Sequence, residues 1–446
     1  MSVVAPTASQ AAPAVTAATH VAAARAVPDL GGPVLKSKQF PAPITTAQCQ
    51  AEIGINCYTP VQYRVAYDLN PLYNGTATGH DITGAGRTIV IVDSFGSPTI
   101  ANDLHVFDQQ FGFPDPTLQI DQFGAIPPFD PTNATMVGWA EETTLDVEYA
   151  HSIAPGAKIV LAETPVAETE GVTGLPEMMN AEQSLINQGI GDVITQSFGA
   201  TENTFPGFSS GNFSSLLNLR YAFKDAFAHN VTVLASSGDE GATNDEADGS
   251  TLYPFRVNSW PSSDPLVTSV GGSMLNLNQA GDKISPDTVW NDGFGAGGGG
   301  VSQVFSRPLY QLGVRSVVGN HRGTPDISMS AAVNGAAWVY FSFVPALTGW
   351  NLVGGTSEAS PIFSGIVALT DQVAGHRIGL INPALYTLGA LSRGGFTSNG
   401  IFDITSGNNS FGGVTGYNAT PGYDLASGWG TIDAAKFVPT LAKLSL

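Results

Sequence analysis

Five short apolar, β-branched runs set the limits on how this chain can fold. They are "RTIVIVDSF" (87–95), "AKIVLAET" (157–164), "DVITQSFG" (192–199), "VTVLASSGD" (231–239) and "PLVTSVGG" (265–272). Each is apolar along its length rather than on alternate residues, the pattern of a strand buried on both faces. Helical stretches fall between them, such as "AEETTLDVEYAHSI" (140–153) and "LLNLRYAFKDAFAHN" (216–230). Apolar strands alternating with helices predict an α/β fold, a mostly parallel sheet with helices on both faces. In such sheets the working residues gather at the carboxyl ends of the strands.

The 446 residues suffice for a large core. Hydrophobic residues make up 43% and charged residues only 12%, so the body of the chain is expected to be globular rather than disordered. Seventeen basic residues face 37 acidic ones, for a net charge of −20. That balance argues against nucleic acid or an anionic membrane as a partner, because neutralising phosphates takes Lys and Arg. So few charges also mean few ion pairs, and little is lost when acid protonates the carboxylates. No apolar run reaches membrane-spanning length; "AAWVYFSFVPAL" is too short and contains Pro345. The N-terminus has neither the basic start nor the apolar block of a secretory signal. Residues 1–45, rich in Ala, Pro, Thr and Val, read as a mobile arm ahead of a domain over 46–446. Cys49 and Cys57 are the only cysteines and lie close enough to bridge. A disulfide there points to an extracellular or similar compartment.

Ser357 stands in "GGTSEASPIFSGIVAL" (354–369), at a glycine turn that opens an apolar helix. Such a serine is lifted out of the chain beside helix N–H groups that can hold an anion. It still needs a base. None of the seven histidines sits in a His-Gly-Thr-His context. The segment "GWAEETTLDVEYAHSIAPGAKI" (138–159) offers carboxylates instead: Glu142 and Asp146, four apart, share one helix face, and His151 lies about 180° from Glu142. An acidic pair at this spacing is ordinarily a solvated surface feature. Here Leu145, Val147, Ala150 and Ile153 make its surroundings apolar. Close, partly buried carboxylates share a proton and can act as a base in acid, where imidazole is protonated. Asp239, in "VLASSGDEGAT" (233–243), would stand at a strand's carboxyl end. Protonated, it could donate to a developing oxyanion; its bland alternative is a turn cap.

Taken in order, Glu142 with Asp146, Asp239 in "SSGDEG" and Ser357 in "GTSEASP" resemble the sedolisins, the serine-carboxyl peptidases. "VTSVGGS", "GGGGVSQVFSRPLYQ", "RGTPDISMSA" and "FDITSGNN…PGYDLASGWG" agree, and the resemblance spans about residues 55–440. It implies a single large subtilisin-like catalytic domain and an endopeptidase or tripeptidyl-peptidase active in acid. Ser357 would be the nucleophile, Glu142 its general base, Asp146 the residue orienting Glu142, and Asp239 the oxyanion donor. It also implies one structural calcium ion (Ca2+) in a C-terminal loop. The carboxylates of Asp403 and Asp424 and the carbonyls of Ile404, Thr420 and Gly422 would hold it, an oxygen-only set suited to that ion. Thr420 replaces a glycine common in the family. Gly354 stands where the family often has serine, and the family's long folded propeptide has no counterpart in the arm.

Around these groups, "ITQSFGATE" (194–202) and "GAGGGGVS" are expected to line the substrate cleft, with Ser197, Phe198, Gly199, Gly298 and Gly299 as the contacts. The expected partners are protein or peptide substrates, with no nucleic acid and no membrane, and the expected state is a secreted monomer. Side-chain preference is left open. One rival is a subtilisin-type peptidase using Asp93 of "IVIVDSFG", which lacks its histidine motif. The other is an inactive secreted protein on a peptidase fold.

Overall fold

Residues 89 to 92, Ile-Val-Ile-Val, divide strictly between two cores. A computed structural model of the protein describes residues 40–393 and 397–445. In it, Ile89 and Ile91 face one hydrophobic cluster and Val90 and Val92 another. This is the period of a strand covered on both sides. The main sheet contains β1 (Thr88–Ser94), β2 (Leu118–Gln122), β3 (Lys158–Thr164), β4 (Val193–Gln196), β5 (Thr232–Ser236), β6 (Thr268–Met274), β7 (Thr288–Val289) and β8 (Ile327–Ser330). Its order is β7-β6-β5-β4-β1-β3-β2, with β8 also paired to β6. Every pairing is parallel except β7 with β6. The predicted mostly parallel sheet is present, and the five predicted runs are β1, β3, β4, β5 and β6.

The helices complete both layers. The first core takes α3 (Ala134–Ile153) and α6 (Thr356–Ala374); α1 (Pro60–Ala66) and α2 (Ile100–Phe111) border it. The second takes α4 (Leu175–Asn187) and α5 (Tyr221–Ala228). The helix expected over 216–230 is interrupted: a turn over Ser214–Leu217 and a 3₁₀ segment over Asn218–Arg220 precede α5. The run containing "AAWVYF" is β9 (Ala336–Phe341), paired antiparallel with β10 (Gly349–Val353) in a separate small sheet. The chain closes with α7 (Asn382–Arg393) and α8 (Ala434–Leu444).

Of the arm expected over 1–45, residues 1–39 lie outside the described residues. Phe40 is buried, with its ring edge-on to Trp338 at 5.1 Å. Thr45 caps the helix Thr46–Ile53 through a reciprocal bond with Gln48. That helix is tied to the next strand by the expected disulfide, Cys49–Cys57, with Cα atoms 6.0 Å apart. No helix among the described residues is long and apolar enough to cross a membrane.

At the order reversal, β1 lies between β3 and β4, so the loops leaving β1 and β4 diverge and open a crevice at their carboxyl ends. α3 and α6 lie against each other behind it. Their approach is close because Gly365 has no side chain: a Cβ there would fall 2.6 Å from Ile153 Cβ and 3.3 Å from Ala150 O. Gly365→Ala should therefore cost about 1–3 kcal/mol from overpacking, measured by denaturant unfolding. A stability equal to wild type would mean that the two helices have slack.

Candidate active site

α3 is 20 residues long and buried almost all round, although it carries Glu141, Glu142, Asp146 and Glu148. Asn133 starts it by accepting from the Thr135 and Met136 N–H groups at 3.0 and 3.3 Å. Glu142 is buried and Asp146 fully so. The acidic face predicted from the sequence is thus turned into the protein, not into solvent.

Two hydroxyls meet this pair. Ser197, the residue after β4, donates to Asp146 Oδ1 at 2.9 Å. The hydroxyls of Ser357 and Ser197 reach the Glu142 carboxyl. Glu142 Oε1 and Asp146 Oδ2 have no protein donor, which is what a proton shared between the two acids supplies. Burial pushes both pKa values well above the ordinary carboxyl range. After burial, the charge of Asp93 is the largest upward influence on Glu142, and that of Glu142 is the largest on Asp146.

Ser357 is buried, the second residue of α6. Gly355 before the helix has φ 148°, in the region that favours glycine. Gly354 has no room for a side chain: a Cβ would sit 2.9 Å from Val333 Cα. The departure from serine at this position is therefore dictated by packing. Asp239, past the end of β5, accepts at Oδ1 from Thr356 N at 2.7 Å and Thr356 Oγ1 at 2.8 Å. Its Oδ2 takes part in neither of these bonds. Burial, opposed by those two bonds, pushes Asp239 up to about 6. The four predicted acting residues are thus gathered at one edge, drawn from α3, α6 and the loop after β5.

The structure adds residues that the sequence pattern did not assign to this cluster. Asp93, the next-to-last residue of β1, is fully buried, and burial pushes it up to about 7. The strand end was visible in "IVIVDSF", but its proximity to Glu142 depends on strand order. Thr356 anchors Asp239, a contact between residues 117 apart in sequence. His151 is excluded as a base: its Nε2 lies 3.2 Å from Asp108 Oδ1 and 2.9 Å from Pro114 O, deep in the protein.

The expected substrate contacts behave unevenly. Ser197 belongs to the acid cluster. The Phe198 side chain is buried in the second core, and a Cβ on Gly199 would lie 3.2 Å from Trp260 O. Gly298 N donates to Gly238 O at 2.6 Å and Gly299 N to Gly241 O at 3.3 Å, so the glycine run lies along the Asp239 loop. A Cβ on Gly298 would meet Ser237 O at 2.0 Å, and one on Gly299 would meet Leu425 O at 2.3 Å. Phe198, Gly199, Gly298 and Gly299 therefore bring backbone, not side chains, to this edge.

The C-terminal loop gathers its five predicted residues. Asp403 Oδ2 accepts from Gly422 N at 2.6 Å, and Asp424 Oδ2 from Thr420 N at 2.7 Å. Asp424 Oδ1 accepts from Ala426 N, Ser427 N and Ser427 Oγ. Ser427 Oγ is also 3.5 Å from Ile404 O. In these contacts Thr420 and Gly422 turn their N–H groups to the two carboxylates, and the Ile404 carbonyl lies beside them; carboxylate and carbonyl oxygens are the hard donors that calcium takes. Among the described residues, no group of three or more His, Cys, Asp or Glu could hold a metal.

A model of the subtilase family matches residues 133–383, more than half of the chain. The chain belongs to the subtilase family. It is 30% identical over 386 residues to kumamolisin of Bacillus sp. (strain MN-32), covering 84% of this chain and 62% of that protein. It is 32% identical over 387 residues to sedolisin of Pseudomonas sp. (strain 101), covering 81% and 61%. A solved structure of Pseudomonas sedolisin, described as a serine-carboxyl proteinase complexed with two molecules of pseudo-iodotyrostatin, superposes with a TM-score of 0.72 at 29% identity. That match covers 88% of this chain and 100% of the other. The sedolisin resemblance and the subtilisin-like α/β fold are both borne out. This subtilase spans 62% and 61% of the length of the two curated relatives.

The buried acids carry a consequence for stability. Beyond the Glu142–Asp146 pair, which shares one proton, burial raises Glu148 and Glu168 well above their ordinary values, Asp93 to about 7, and Glu182 to about 8. An acid raised by folding stays protonated in the native state while the unfolded chain ionises. The stability tied to these groups is therefore full below about pH 4 and is lost as pH rises toward 8. Calorimetry should find the melting temperature highest near pH 4 and falling through pH 6 to pH 8. A higher melting temperature at pH 8 than at pH 4 would contradict these burial assignments.

Proposed function

We propose that this protein is an acid-active serine-carboxyl peptidase that cleaves peptide bonds through an acyl-enzyme on Ser357. One observation carries the reading: the Ser357 hydroxyl reaches a buried carboxyl, Glu142, that is paired with a second carboxyl and not with a histidine. The similarity to sedolisin and kumamolisin supports it.

The chemistry follows from where the protons sit. Ser357 Oγ attacks the scissile carbonyl carbon and its proton passes to Glu142. The carbonyl π electrons move onto oxygen, and protonated Asp239 donates to that oxyanion from Oδ2. The C–N bond then breaks, and Glu142 returns the proton to the leaving amine. Water repeats the sequence on the ester: Glu142 takes its proton and Ser357 recovers its own. Asp146, held by Ser197, orients Glu142 and stabilises the pair when it carries one proton. Both the shared proton and a protonated Asp239 require acid.

The substrates are proteins or peptides, and the product length decides between endopeptidase and tripeptidyl-peptidase action. The disulfide and the tolerance of acid favour a compartment outside the cell. Acidity of this degree disfavours nucleic acid and anionic membranes as partners. Asp403 and Asp424, with the carbonyls of Ile404, Thr420 and Gly422, would hold one calcium ion, whose charge would tie the C-terminal loop to the body.

Ser357→Ala should fold normally and lose peptidase activity by about 10⁴-fold or more; a variant keeping a tenth of the wild-type rate would remove Ser357 as nucleophile. Hydrolysis should peak at about pH 3–5, with an alkaline limb set by Asp239, whose pKa is raised to about 6. Asp239→Asn keeps a donor at every pH, so that limb should move upward in kcat/KM profiles. A neutral optimum in the wild type would sink the serine-carboxyl reading. A chelator should lower the melting temperature, since an ion bound only by the folded state stabilises it. An unchanged melting curve and no calcium in elemental analysis would remove the ion.

A further inference from the structure

Glu358 follows Ser357 directly and is the third residue of α6. It is 0% exposed. Neither carboxyl oxygen has a hydrogen bond of good geometry. The polar and titratable groups that face it come from four places: Tyr63 on α1 and Tyr67 just after it, Tyr149 on α3, Ser330 on β8, and Asp239 beyond β5. None of these is a cation. The peptidase chemistry described above does not use this acid.

The hydroxyl protons of Tyr63 and Tyr149 are already committed to backbone carbonyls. Tyr63 gives its single proton to Gly335 O at 3.0 Å and lies 3.4 Å from Ser330 Oγ. Tyr67 accepts from Ser330 N at 2.7 Å. With its proton on Gly335, Tyr63 meets Glu358 as an acceptor. A carboxylate has nothing to offer an acceptor, whereas a carboxylic acid has one O–H to give. The pocket is built for the neutral form. Burial pushes this carboxyl up to about 8, against the opposing pull of the Tyr63 and Ser330 hydroxyls, and the neighbouring Asp239 adds to the rise.

We propose that Glu358 is a positioning residue: as a neutral acid bonded to Tyr63, it fastens the first turn of α6 to α1 and β8. Ser357 and Thr356 are the two residues immediately before it, so the nucleophile and the anchor of Asp239 are held by the same fastening. The positioning role rests on reading Ser357 as the nucleophile. Ionising Glu358 would leave a buried anion facing Asp239 and three tyrosines. The turn would have to shift to reach water, and Ser357 would shift with it.

Two variants of the full chain test this, with calorimetry at pH 4, 6 and 8 and with kcat and KM measured across pH on a peptide substrate. Glu358→Gln donates through its amide at every pH. Its melting temperature should fall less between pH 4 and pH 8 than that of the wild type, and its kcat at the optimum should stay within about threefold. Glu358→Ala should lower kcat by about 10- to 100-fold with KM little changed, the signature of a misplaced nucleophile. A Glu358→Gln melting profile that follows the wild type, or a Glu358→Ala variant with wild-type kcat, would overturn the proposal. If Glu358→Ala fails to fold, Glu358→Gln decides the matter alone. A wild type that cleaves no peptide at any pH would bring down the peptidase reading and the positioning role together. An active wild type with unaltered Glu358→Gln melting would bring down the role of Glu358 only.

Discussion

The contact between α3 and α6 at Gly365 and Ile153 fixes the geometry of everything at the strand ends. Both helices point their N-termini toward the Ser357–Glu142 contact. From the contact at Gly365, Glu142 stands about 16 Å along α3 and Ser357 about 12 Å along α6. Neither residue sits on a long loop. The serine is in the first turn of one helix and the acids are in the interior of another, so their separation is set by helix packing rather than by loop conformation. The only loop-borne member, Asp239, is pinned by two bonds to Thr356 in the same first turn. Rigid elements give the positional precision that proton transfer between side chains needs.

That arrangement places acids where water cannot solvate them. Asp93 raises the pKa of both Glu142 and Asp146, Glu142 raises that of Asp146, and Glu163 raises that of Asp93; no Lys or Arg stands among the groups that perturb them. With only 17 basic residues against 37 acidic ones, the chain has few cations to spare for its interior. Arg322, buried against Asp326, is one. The unpaired acids must therefore be kept neutral by protons. A protein that relied on buried ion pairs would lose them in acid; this one has its buried carboxyls already protonated there.

Much of this was legible in the sequence. The five apolar runs became strands with ends shifted by a few residues, since continuous apolarity is a strong mark of burial on both faces. Ser357, Glu142, Asp146 and Asp239 could be picked out because each stands at a readable landmark: a glycine turn, a helix face or a strand end. The missed strands explain themselves. β2, "LQIDQ", is an edge strand with no fully buried residue, and β7 has two residues. α3 begins at Ala134, earlier than its periodic stretch suggested, because Asn133 caps it while Gly138 and Trp139 obscure the pattern. What sequence could not give was proximity. Thr356 and Glu358 look ordinary in one dimension, and Asp93 stood out only as the aspartate of the subtilisin-type rival. Their environments come from strand order and from the α3–α6 crossing, which join residues far apart in the chain.

The same protons that hold the fold also set up the chemistry. Asp239 must be neutral to donate to an oxyanion, and the Glu142–Asp146 pair must keep one proton to remain a base without repelling itself. A histidine-based site separates these demands: its base works when neutral, and its scaffold can be stabilised by ion pairs at the same pH. Here a rise in pH ionises Asp239, the proposed oxyanion donor, near 6 and buried acids at about 7 and 8. Catalysis is thus predicted to fail first, at the more solvent-accessible Asp239, and the scaffold to follow as Asp93 and Glu182 lose their protons. Replacing one buried acid by its amide relieves the scaffold without touching the base. Replacing Asp239 relieves the chemistry without touching the scaffold. The two limits are therefore separable by substitution even though acid satisfies both.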